Sequence, residues 1–286
     1  MKINKEIQAL MHLVDDPDEE VYHTVSEKII SLGKKIIPNL ESLWETTEDS
    51  SAQERIELLI HRVHLRELTE EFEVWKNGEA GLLEGALLVS KYHYPDMPAE
   101  QVQKDLEKLR RNIWLELNNY LSSFEKINVF NGIFYNYNKQ KSVEVSYDNP
   151  DAFLINKALE TKKGNAISNG IIYQIVAEQL DIPVKAINIP RQYVLGYMND
   201  HSPMSVTHAS ELISFYIDPA TGQMYSHNDI ENYFKRLSIP PVSAHFKPLS
   251  SKQIIQLLLE EISKCFNNER NLYKREELLH IARMFD

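Results

Sequence analysis

Ser168 stands in the run Ala166-Ile167-Ser168-Asn169-Gly170, one residue away from the Gly-x-Ser-x-Gly pattern that lifts a nucleophilic hydroxyl onto a strand-to-helix turn. Asp218 and a later histidine, His227 or His245, would complete the order Ser, Asp, His. That chemistry needs a base in reach of the hydroxyl and an acid that orients the base. The residues before the run, Glu160 to Lys163, are polar and do not read as the strand an elbow requires. Ser168 also reads as a hydroxyl bonded within the first turn of a helix, a place serine takes readily. The other candidate groups are histidines and one thiol. His61 and His64 lie one helical turn apart, and His201 and His208 share a polar loop. Neither pair has a third ligand at zinc spacing, and the chain has no HExxH and no CxxC, so no metal is expected. The nine glycines are scattered and form no phosphate-binding loop, so no cofactor is expected. Cys265 is the sole cysteine, which excludes an intramolecular disulfide, and it is expected to pack in a C-terminal helix.

The elements that would position these groups read as mostly helical. Ile3, Ile7, Leu10 and Val14 share a helical face, and Val21, Val25, Ile29 and Ile30 make the next stripe. Asp18 is placed to cap that second helix and Gly33 to end it in the left-handed region. The phrase from Leu13 to Leu40 resembles a HEAT repeat, although no second copy follows. Ala52–Trp75 reads as an amphipathic helix, Gly81–Tyr92 as a short apolar one, and Pro98–Phe124 as one long helix with a buried line through Leu106, Leu109, Ile113, Leu117 and Leu121. Residues 127–149 read as a short helix and then an irregular loop in which Phe130, Phe134 and Tyr135 pack. From Gly164 to Tyr197 come a turn, a buried helix, a tight Asp181-Ile182-Pro183 connection, a strand, a Pro-Arg turn and a second strand. A third strand, Ile213–Ile217, ends in Asp218-Pro219. With strands confined to about 184–225, a small antiparallel sheet on one buried helix follows, an α+β arrangement. Helices near His227–Leu237 and within Ser250–Asp286 complete the chain. The expected division is a helical region over 1–76, a core with its leading helices over 77–249, and a helical pair over 250–286.

From about Leu82 onward the chain resembles the SirB-type branch of the transglutaminase-like superfamily. The match is a series of short motifs: Tyr94-Pro95-Asp96, Phe130-x3-Phe134 with Asn136, Tyr147-x2-Pro150 with Leu154 and Leu159, and Lys163 to Ser168. It continues through Ile172-Tyr173-x3-Ala177, Leu180 to Pro183, Ile189-Pro190-x2-Tyr193-Val194 and Ile217-Asp218-Pro219. The resemblance implies a papain-like core. In active members of the superfamily a cysteine opens the central helix, a histidine at the next strand is its base, and an aspartate on the following strand orients the histidine. Carried onto this chain, those places fall on Ala166, Gln192 and Asp218. The branch commonly has proline at the first of them. Ala166 has no nucleophilic atom and the Gln192 amide does not titrate near neutrality, so thiol chemistry of that kind has neither nucleophile nor base. A cleft there would be lined by Asn165, Ser168, Arg191 and Tyr193, and Arg191 beside a helix N-terminus suits a carboxylate or another small anion.

Composition narrows the partners. Thirty-one basic against 42 acidic residues give a net charge of −11, which argues against nucleic acid as a partner. Lys34-Lys35 and Lys162-Lys163 are local basic pairs of the kind found on solvated surfaces. The start of the chain has no signal-peptide pattern, and no stretch approaches the ~20 apolar residues of a membrane span. The expectation is therefore a cytoplasmic protein that binds a protein or peptide partner and lacks catalysis, with no nucleic acid and no membrane involved. A hydrolase using Ser168 with a remote histidine is the alternative. A third reading puts the interaction surface on the N-terminal helices alone.

Overall fold

A computed structural model describes residues 7, 9–10, 13–14, 18–199 and 209–286. By backbone contacts the chain divides into two compact units, residues 1–74 with 91–95, and residues 75–90 with 96–286.

The first unit is helical. Helix α1 spans Glu19–Ser31, α2 spans Ile37–Thr46, and α3 runs Ser50–Asn77, crossing from this unit into the second. Asp18 caps α1 by accepting from the Glu20 amide at 2.9 Å. Gly33 follows the helix at φ 65°, a left-handed turn that glycine makes without steric cost. The apolar stripes then meet in one core of Val14, Val25, Ile29, Ile36, Ile37, Leu40, Ile56, Leu59 and Val63.

The second unit holds α4 (Leu82–His93, apart from its last residues), α5 (Ala99–Trp114) and α6 (Ser123–Asn131). The long helix expected over Pro98–Phe124 is thus two. Asn118 breaks it, because its side chain accepts from the Tyr120 amide at 3.0 Å and offers the backbone an alternative to the helix. Ser122 then starts α6 with a reciprocal capping box to Glu125. Leu117 and Leu121, expected on a buried line, are only half-buried. The loop expected after α6 is also more regular. Gly132–Tyr137 continues as a π-helix, closed by the Asn138 amide donating to the Ile133 carbonyl at 2.7 Å.

A short parallel ladder lies outside the expected strand region. Strand β1 (Lys141–Ser142) pairs with β2 (Lys163–Gly164), which follows helix α7 (Ile155–Thr161). Helix α8 (Ala166–Glu178) comes next and is buried on all sides from Ile167 to Ala177, as its lack of a polar face dictates. It ends where the Ile182 amide bonds back to the Ala177 carbonyl at 2.9 Å, with Asp181 left-handed at φ 54°. Strands β3 (Val184–Ile187), β4 (Val194–Met198), β5 (Ile213–Ile217) and β6 (Met224–Tyr225) form an antiparallel meander in that order. The Gln174 side chain on α8 accepts from the Ala186 amide at 2.8 Å and ties the helix to β3. The fold is therefore α+β, mostly helical, with a small antiparallel sheet on a central helix. Helix α9 (His227–Leu237) covers the other part of the sheet through Ile230 and Phe234. Helices α10 (Ser251–Ser263) and α11 (Leu272–Arg283) close the chain.

Candidate functional site

Three segments meet at the first two turns of α8. A methyl built on Gly170 would lie 2.4 Å from Cε1 of Tyr193 and 3.3 Å from Cβ of Pro219. The Tyr193 ring and Pro219 therefore rest on the helix one turn past Ala166. Their chain neighbours, Gln192 and Asp218, are delivered to the same end of α8. The residues assigned to the three places by resemblance thus sit on segments that converge.

Each side chain at that convergence has a definite state. Asn165 is fully buried, and its Oδ1 accepts from the amides of Ile167 at 2.9 Å and Ser168 at 3.0 Å. It therefore occupies two of the first-turn donors that an outside anion would use. Ala166 is the first helical residue and is partly exposed. Ser168 is fully buried, and its hydroxyl donates to the Ala152 carbonyl at 2.6 Å. A hydroxyl whose proton goes to a carbonyl is not activated for attack. Among the described residues no histidine bonds to it. His227 Nε2 lies 2.8 Å from the Ile213 carbonyl oxygen, and its ring meets Tyr216 edge-on. His245 stacks on Phe234 and accepts from the Val242 amide at 3.3 Å. The strand missing ahead of Ser168 in the sequence is partly present as the two residues of β2. That strand leads into a buried cap rather than an exposed elbow.

Arg191 and Gln192 are exposed on the turn between β3 and β4, with Arg191 left-handed at φ 62°. The Gln192 amide N–H of the backbone donates to the Ile189 carbonyl at 3.3 Å, and among the described residues no hydrogen bond engages its side chain. Tyr193 is half-buried, and its hydroxyl is enclosed without a hydrogen-bond partner among the described residues. Burial raises that phenol above the ordinary tyrosine range, so it stays neutral.

Asp218 is committed to its own turn. Its Oδ1 accepts from the Ala220 amide at 2.8 Å, its Oδ2 from the Thr221 hydroxyl at 2.9 Å, and its carbonyl from the Gly222 amide at 2.7 Å. This is the local side-chain-to-backbone closure that aspartate favours in turns. The turn is held from outside by residues the sequence reading assigned to packing or passed over. Tyr135 donates to the Pro219 carbonyl at 2.9 Å, and Asn131 donates to the Gly222 carbonyl at 2.7 Å. Tyr173 on α8 donates to Asn131 at 3.0 Å and stacks on Phe130 with centroids 3.9 Å apart. Burial, and then the nearby charge of Asp218, raise the Tyr135 phenol above its ordinary range. The four-residue spacing of Asn131 and Tyr135 was the available signal. Aromatic neighbours hid it.

The remaining candidate groups lie elsewhere. His61 meets the Tyr92 ring edge-on. His201 and His208 fall outside the described residues. Among the described residues no three metal-ligating side chains converge. Cys265 sits in the turn after α10 rather than within a helix, half-buried. Its thiol is pushed up to about 11 by burial first, then by Asp148 and Glu261, which holds it protonated near neutrality.

Comparisons with known proteins agree on one family. The family model described as the transglutaminase-like superfamily matches residues 100–260. Protein SirB1 of Salmonella typhimurium is 25% identical over 197 residues, covering 68% of this chain and 69% of the relative. A UPF0162 protein of Buchnera aphidicola is 25% identical over 197 residues, covering 67% and 68%. UPF0162 protein YchA of Escherichia coli is 22% identical over 197 residues, covering 68% and 70%. No solved structure matches the chain. A buried helix opening at Asn165-Ala166, a meander whose β4 and β5 lead Tyr193 and Pro219 onto it, and a family match over most of that region have one conclusion: the chain belongs to the transglutaminase-like superfamily, in its SirB-type branch.

Proposed function

We propose that this protein binds a protein or peptide segment at the opening of α8 and performs no thiol-based acyl transfer. Ala166 carries the reading, because the first residue of α8 presents a methyl group where an attacking sulfur would be needed. The surroundings agree with it. Gln192 offers an exposed amide that donates and accepts hydrogen bonds without titrating. Arg191 adds a solvent-facing cation, and Tyr193 a flat ring braced by Gly170. Such a surface suits the polar backbone and carboxylate groups of a peptide. A hydrolase built on Ser168 has no support from its buried hydroxyl. A single thiol held protonated and the absence, among the described residues, of any helix long and apolar enough to cross a membrane are compatible with work in the cytoplasm.

The test pairs catalysis with capture. The full chain is assayed for hydrolysis of chromogenic amides and for amine incorporation into glutamine peptides, and no turnover above background is expected. Turnover that vanishes in Asp218→Ala would overturn the proposal. In parallel, peptides selected on the full chain from a random display library are expected to lose binding to Arg191→Glu. Selected peptides that bind this variant as well as the parent would place the surface elsewhere.

A further inference from the structure

The lysines of this acidic chain are unevenly arranged. Several are paired: Lys34 with Glu67 at 2.7 Å, Lys91 with Glu71 at 2.6 Å, Lys185 with Glu178 at 2.6 Å and Lys264 with Glu261 at 2.6 Å. Around the β1–β2 ladder the opposite holds. Lys141 and Lys163 are directly opposed in that parallel pair, and both are exposed. Opposed residues of one ladder project from the same face, with Cβ atoms on the order of 5 Å apart. Lys139 precedes β1 in a left-handed conformation at φ 60°, and Lys162 precedes β2 at φ 58°. The Lys141 amide bonds to the Lys162 carbonyl at 2.9 Å, so the two short segments are locked together. Lys108 of α5 lies close enough to Lys162 to repel it, and Lys104 is one turn back on the same helix face, in a groove that Glu100 and Glu107 also line. Among the described residues none of these six lysines forms an ion pair with a carboxylate.

Opposed like charges cost free energy, which an anionic counterpart relieves, and Asp105 of α5 already offsets part of it at Lys162. The pKa of the Lys162 ammonium is lowered chiefly by burial; Asp105 raises it, and Lys108 lowers it by less. The local scaffold is fixed rather than loose. Between Lys139 and Lys141, Gln140 is buried and donates to Asn169 at 2.9 Å and to the Ala158 carbonyl at 3.2 Å. Asn169 in turn donates to the Lys141 carbonyl at 3.2 Å. The lysine stems are thus displayed from an anchored backbone.

We infer that the lysines of the β1–β2 ladder, with Lys104 and Lys108 of α5, form a docking surface for a short acidic peptide segment of a partner protein. The occupant follows from charge at two length scales. The Debye length is about 8 Å at physiological salt, so a segment of a few residues lying on the ladder senses the lysines beneath it and little else. A nucleic acid strand extends past the ladder onto a molecule whose net charge is −11, where its phosphates are repelled. Carboxylates spaced along an extended peptide also match a row of flexible ammonium groups, which act as point charges without the planar fork of arginine. The inference rests on the lysines alone and does not depend on how the opening of α8 is read.

The probe is a fluorescein-labelled octaglutamate peptide titrated with the full chain at about 50 mM salt and followed by anisotropy. Binding that weakens as salt rises is expected. Lys141→Glu with Lys163→Glu is expected to weaken it by roughly tenfold or more, since it removes two cations and adds two anions. Lys235→Glu, exposed on the last turn of α9, serves as the charge control and leaves binding within about twofold. A circular dichroism melt of each variant checks folding, and Lys108→Ala gives a second, milder variant with a smaller loss. No binding by the parent chain would overturn the inference, and so would equal binding by the double variant. Tighter, Lys141- and Lys163-dependent binding of a single-stranded RNA oligonucleotide than of octaglutamate would also overturn it, assigning the surface to nucleic acid.

Discussion

Gly170 shows how one residue sets a local geometry. It has ordinary helical backbone, so its role is steric: the absent side chain makes room for the Tyr193 ring. Gly170→Ala should improve helix propensity and still destabilise the protein, by roughly 1–3 kcal/mol, because the ring must leave its seat. Urea denaturation measures the difference, and a variant as stable as the parent would show that Tyr193 moves freely. Cys265 gives a prediction of a different kind. Its folded value near 11 lies above the ordinary 9.0, so the folded state holds the proton longer than the unfolded one. The resulting stabilisation is complete below the unfolded value and is lost as pH rises through the folded one. Iodoacetamide labelling of Cys265 in the folded chain should accordingly climb by about tenfold per pH unit beyond pH 9. A plateau at pH 9 would contradict the shift.

Among the elements, α8 depends most on its cap. Asn165→Ala removes the acceptor for two amides in a dry environment and should cost about 1–2 kcal/mol, measured by thermal unfolding with calorimetry. The end of α6, where the π-segment begins, makes an equivalent demand. Asn131→Ala breaks its bonds to Gly222 and Tyr173 together, and each buried group left unpaired costs on the order of 1–3 kcal/mol. The same variant should loosen the Asp218 turn, visible as faster amide exchange at Thr221 and Gly222. These two elements also divide what could be read in advance. The helix of α8, its Asp-Ile-Pro exit and the strands after it announce themselves by apolar runs and turn residues, whereas the places given to Ala166 and Asp218 come from the family resemblance. The commitment of Ser168 to Ala152, and the hold of Asn131 and Tyr135 on residues some 80 to 90 positions later, are set by tertiary approach. No local pattern encodes such partners. Likewise the break at Asn118 depended on a side-chain bond competing with a helix that Leu117 and Leu121 seemed to continue.

At the scale of the molecule, each compact unit carries its own apolar core. Leu59, fully buried in the first unit, should therefore be sensitive to truncation: Leu59→Ala is expected to cost about 2–5 kcal/mol. Trp44 lies in the same unit and supplies the fluorescence signal for that unfolding, isolated as the difference from a Trp44→Phe variant. Periodicity gives the helices of the leading region but not that one of them runs on past Val74 into the second compact unit. Helix α3 passes the boundary between Val74 and Trp75 without interruption. Trp75 then donates to the Gly81 carbonyl at 2.8 Å, meets Phe285 edge-on with centroids 5.4 Å apart, and presses on Gly85, while Lys76 donates to the Met284 carbonyl. Residues 91–95 meanwhile return to the first unit from within the second. At Val74–Trp75 the chain thus offers no scissile seam. A protease will find no extended linker between Val74 and Trp75, whereas the boundary at Pro95–Asp96 lies in an exposed turn, and a fragment starting at residue 77 discards an anchor of the very part it is meant to isolate. Each half can be dissected by substitution, but neither can be released by a single cut.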